Sequence, residues 1–76
     1  MDATSARVRA IGEPALLAGY ALCGVDVLPA RNDEEARGAW AALPPGTAVV
    51  LLTADAGRAL EPFMVDQNAP MTVVLP

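Results

Sequence analysis

The chain has 76 residues, 54% of them apolar, and nine acids against five cations give a net charge of −4. A chain this short holds one core and buries only about 60% of the surface its unfolded form exposes, so some apolar surface is left over for a partner. All five cations are arginines spread along the sequence, histidine is absent and Cys23 is the one cysteine; this excludes a basic nucleic-acid patch, an internal disulfide and a zinc site built from nitrogen and sulfur ligands.

No apolar run reaches the ~18 residues that would cross a bilayer, and the opening "MDATSARVR" lacks the basic-then-apolar order of a secretory signal. The expected setting is cytoplasmic, with any membrane association peripheral.

In chain order, "RVRAI" (Arg7 to Ile11) reads as a short first strand closed by Gly12. Pro14 suits the first turn of a helix, and Ala15 to Cys23 continue it until Gly24 caps it. This helix is apolar on nearly every side, and Gly19 within it reads as a place where helix and sheet approach closely. Val25 to Ala30 alternate and then meet Pro29, which a sheet edge tolerates and a central ladder does not, so this is an edge strand.

Asn32 followed by Glu35 is an N-cap with its capping-box partner, and Ala36, Ala39, Trp40 and Leu43 fall on one helical face before "PPG" ends the helix. "TAVVLLT" (Thr47 to Thr53) is the continuous β-branched and aliphatic run expected of a central strand covered on both faces. Thr53 or Asp55 caps a third, short helix, weakened by Gly57 and limited by Pro62. A loop from Glu61 to Pro70 leads to a last strand, Met71 to Leu75. The order β-α-β-α-β-α-β predicts an α/β fold: a small four-stranded parallel sheet, order 2-1-3-4, with helices on both faces and right-handed crossovers.

The glycines of "AIGEPALLAGYALCG" invite a dinucleotide loop, but that chemistry needs G-x-G-x-x-G at a helix start. Here the spacing is Gly12, Gly19, Gly24; Pro14 removes an N–H donor and Glu13 repels phosphate. A P-loop and a phospho-acceptor domain both need a lysine, which the chain lacks, and Thr53 stands where a phospho-acceptor aspartate would end the third strand. Cys23 has no histidine to act as base and reads as a small core hydrophobe. Asp33, Glu34 and Glu35 point around a helix start, where they match its dipole, rather than at one ion. No catalytic, cofactor-binding or metal-binding residue emerges, and the chain reads as noncatalytic.

Taken in order, "IGE", "GYALCGVDV", "NDEEA", "AVVLLTADAGRAL" and "MTVVLP" resemble the F subunit of the V-type and archaeal-type rotary ATPases and ATP synthases. Tyr20 stands at the aromatic of that family's G-F-x-L-x-G element, Leu22 at its leucine, and Gly19 and Gly24 at its glycines. The resemblance implies a Rossmann-like, noncatalytic rotor component of the central stalk, without cofactor, docked on the coiled-coil D subunit of the shaft and peripheral to the membrane. It would support the coupling of ATP turnover to ion transport. The whole chain corresponds to one domain of this family, without the C-terminal regulatory segment that members usually carry. For the partner interface the expected residues are Leu16, Leu17 and Tyr20 of the first helix and Leu28 and Pro29 of the edge strand. A degenerate receiver-like or small-ligand-binding module is the alternative.

Overall fold

The computed structural model describes residues 7–76. Its elements run β1 (Val8–Gly12), α1 (Pro14–Leu22), β2 (Asp26–Pro29), α2 (Asp33–Ala41), β3 (Val49–Leu52), α3 (Ala54–Met64) and β4 (Met71–Val74). All three strand pairs are parallel, and the sheet order is β2-β1-β3-β4, as the alternation of elements with Val25 to Ala30 at one edge predicts. Reversal of the strand sequence between β1 and β3 sends α1 to one face and α2 and α3 to the other. Accordingly α1 packs on β1 and β2, while α2 and α3 pack on each other and across the rest of the sheet.

Period-two alternation then assigns each strand residue a face. Ile11, Val50 and Leu52 point toward α2 and α3, where they meet Ala36, Ala56 and Leu60 in the main core; Leu28, Trp40 and Leu43 pack against its rim. Ala10 lies on the opposite face, the side of α1 and its single buried side chain, Leu17.

Local chemistry sets the helix ends. Cys23, Gly24 and Val25 close α1 by a Schellman arrangement: the Val25 N–H donates to the Tyr20 carbonyl and the Gly24 N–H to the Ala21 carbonyl, both at 3.1 Å, with Gly24 at φ +93°. Asn32 caps α2, its Oδ1 accepting from the Glu35 N–H at 2.8 Å, and Glu35 Oε1 in return accepts from the Arg31 N–H at 2.8 Å. The reciprocal bond of this box thus goes one residue further back than the usual N-cap N–H. Of the two possible caps of α3, the structure uses Thr53, whose Oγ1 accepts from the Ala56 N–H.

Four expectations are corrected. Cys23 is exposed at the end of α1, not in the core, because the helix buries only its Leu17 side and the chain turns outward at Gly24. Gly19 is also exposed, with open space where a Cβ would stand, so it does not bring helix and sheet together. Helix α3 runs on to Met64 and contains Pro62, so the segment from Glu61 opens as helix rather than loop; Pro62 gives up its own bond to the Arg58 carbonyl, and the packing of Met64 against the core offsets that loss. Finally β3 is interior but not covered on both faces: Val50 and Leu52 are buried, whereas Val49 and Leu51 are only half-buried.

Candidate interaction surface and cleft

Two surfaces stand out. One follows from the helix arrangement. A four-stranded sheet is about 20 Å wide at ~4.8 Å per strand, and one helix about 10 Å in diameter covers two strands. On the α2 and α3 face, two helices cover all but the β4 rim, where Val74 stays 49% exposed. On the other face, among the described residues, α1 packs on β1 and β2, and an apolar lane two strands wide lies beside it on β3 and β4.

Val49 and Leu51 of β3 and Met71 and Val73 of β4 point into this lane by strand alternation, Met71 with 68% of its surface exposed and Val73 with 44%. Leu16 (67% exposed) and Tyr20 (39%) of α1 stand on its flank. At the carboxyl end of the strands Leu16, Tyr20, Thr53, Leu75 and Pro76 enclose an apolar groove of about 250 Å³, with Asp55 as a charged neighbour.

The structure brings Leu16 and Tyr20, but not the other expected interface residues, into this surface. Leu17 points inward and is wholly buried; Leu28 packs on the rim of the core on the opposite face; Pro29 is exposed at the far edge of the sheet. Met71 and Val73 had a legible signal in the run "MTVV", but the side of the sheet they would face depends on which strands α1 covers.

The second surface is the cleft at the carboxyl ends of the strands, beside the β1–β3 switch point where α/β sheets commonly bind ligands. It also measures about 250 Å³ and lies between the starts of α2 and α3. Its charges answer one another: Arg31 Nε lies 3.9 Å from Glu13 Oε1, Arg58 pairs with Asp55, and Asp33 adds a further acid. Three carboxylates against two guanidiniums disfavour an anion. Thr53 also lines this cleft, nearly buried, with its Oγ1 accepting the α3 capping bond from the Ala56 N–H.

Gly12 explains the tight turn between β1 and α1. Its φ is +154°, and a Cβ built on it would collide with the Thr53 side chain, so the glycine serves contact between two strand ends rather than approach to a ligand. Among the described residues no group of three or more acidic, histidine or cysteine side chains is placed to hold a metal ion, and no helix is long and apolar enough to cross a membrane. No family model, curated protein or solved structure matches this chain.

Proposed function

We propose that the chain is a noncatalytic docking component that binds a coiled-coil shaft, in the manner of the central-stalk F subunit of V-type and archaeal-type rotary ATPases. The observation that carries this reading is the uncovered apolar lane on the α1 side of β3 and β4, flanked by Leu16 and Tyr20. A helix about 10 Å in diameter is as wide as two strands, and the strand residues that line the lane, Val49, Leu51, Met71 and Val73, carry no charge. The ordered sequence elements and the sheet order 2-1-3-4 agree with the same reading.

In this role the domain needs no reaction centre. It works as a rigid adaptor: its apolar face adds grip to the shaft, and the rest of its surface rides on the rotor, peripheral to the membrane, where it supports coupling of ATP turnover to ion movement. The test is co-expression with the coiled-coil shaft protein of a rotary ATPase. The two should co-purify through gel filtration, and replacing Leu16 and Tyr20 with glutamate and alanine should separate them; separate elution of the unaltered pair would refute the reading.

The cleft between the starts of α2 and α3 favours a second reading, a small-ligand module. Its excess of one carboxylate limits the candidates to neutral, zwitterionic or cationic molecules. A rise in melting temperature with such a ligand, abolished by Arg31→Ala, would support it over the first.

A further inference from the structure

The two edges of the sheet are built differently. Edge strand β2 carries Asp26 and ends at Pro29, both of which discourage a further strand. Edge strand β4 carries no charge from Met71 to Val74, its prolines Pro70 and Pro76 lie outside that stretch, and Met71, Val73 and Val74 are exposed. An uncharged apolar edge of this kind is a template for another strand.

The hydrogen-bond phase of β4 says which strand fits. Met71 and Leu75 donate their N–H groups to the Ala48 and Leu52 carbonyls at 3.1 and 2.7 Å, so the odd-numbered residues face β3. Alternation leaves the N–H and C=O groups of Thr72 and Val74 pointing away from the sheet. A second copy running antiparallel, with the two-fold axis through Val73, sets Thr72 of one chain opposite Val74 of the other. Both members of that pair then offer outward groups, and they exchange two hydrogen bonds at each of two sites.

From this self-complementarity we propose that the chain forms a symmetric dimer by β4 to β4 pairing, giving one continuous eight-stranded sheet. The register keeps each face in phase: Val73 meets its own copy, and Met71 lies opposite Leu75 on the α1 side. On the other face, Arg58, Glu61 and Met64 of α3 border Val74 beside the edge. The two-fold axis reverses this order, so Arg58 of one copy faces the end of the partner helix that carries Glu61. A chain of net charge −4 therefore meets its copy along an uncharged strand and an alternating pair of helix charges, where like-charge repulsion is least.

The hydrogen bonds of the pairing come from the β4 backbone, although Met71 and Val73 of that strand also line the lane; the proposal goes beyond the docking role, and Val74, which lies on the opposite face from the lane, tests it separately. Sedimentation equilibrium of the full chain from micromolar to millimolar concentration should show the mass rising to twice that of one chain. Val74→Pro removes an outward N–H that β3 does not use, and should weaken the dimer at least tenfold while leaving the circular dichroism spectrum and coiled-coil binding unchanged. In a Cys23→Ser background, Val73→Cys should cross-link on oxidation, because non-hydrogen-bonded pairs bring Cα atoms to about 4.5 Å, whereas Thr72→Cys should not. A monomer at every concentration, a Val74→Pro dimer as tight as the unaltered one, or equal cross-linking at the two positions would overturn the proposal.

Discussion

The backbone of Gly12 lies against the side chain of Thr53, so close that no Cβ fits between them, and it does so at a φ of +154° that other residues rarely adopt. This contact joins the ends of β1 and β3, and the Thr53 N–H completes it by donating to the Ile11 carbonyl at 3.2 Å. Gly12→Ala combines a backbone penalty with overpacking and should destabilise the domain by about 2–3 kcal/mol. Urea unfolding followed by circular dichroism checks it; a loss below about 1 kcal/mol would mean that the two strand ends shift apart freely.

The other two glycines of the same stretch should respond with opposite signs. Gly19 sits mid-helix with open space around it, so Gly19→Ala should stabilise by about 0.5–1 kcal/mol. Gly24 holds φ +93° in the turn that closes α1, so Gly24→Ala should destabilise by about 1 kcal/mol or more. Paired thermal melts would separate a turn requirement from a helix that merely tolerates glycine.

The α2 cap gives a third expectation. Asn32 Oδ1 satisfies the Glu35 N–H at 2.8 Å, and Asn32→Ala should cost about 1 kcal/mol. Glu35→Ala, which removes the bond to the Arg31 N–H, should cost less, since that backbone group is exposed and water can replace the carboxylate. Equal losses would show that the two halves of the box act as one unit.

Core and lane should be separable by substitution. Leu60 is wholly buried among α2, α3 and the sheet, and Leu60→Ala should cost about 2–5 kcal/mol. Leu16→Glu, at an exposed position of α1, should change stability by no more than about 0.5 kcal/mol. If the lane is a docking face, Leu16→Glu should nonetheless weaken coiled-coil binding at least tenfold, as loss of an apolar contact in a packed interface does.

Much of this fold is legible in the sequence because its signals are local. The Asn32–Glu35 pair, the Pro14 and Gly24 helix limits and the run "TAVVLLT" each name an element, and strict alternation of strands and helices, with Pro29 marking the second strand as an edge, names the sheet order. What sequence leaves open is the facing of α1. Its residues are apolar nearly all round, so periodicity carries no phase, and Cys23 and Leu22 look as suited to a core as Leu17 does; only Leu17 is buried. The same ambiguity hides the lane, because coverage of Val49 and Leu51 depends on how many helices cross that face. Gly57 shows the converse: in sequence it only weakens α3, whereas in the fold a Cβ there would press on Val74 at 3.0 Å, which is how the helix lies so near β4.

The docking face can be read residue by residue from backbone amide shifts of the isotope-labelled chain titrated with a rotary-ATPase coiled-coil shaft. Shifts should concentrate on Leu16, Tyr20, Leu51, Val73 and Leu75, with Ala36, Leu43 and the α2 face silent. Saturable binding whose shifts fall on α2 and α3 instead, or no binding at all, would contradict the assignment of the lane as the partner surface.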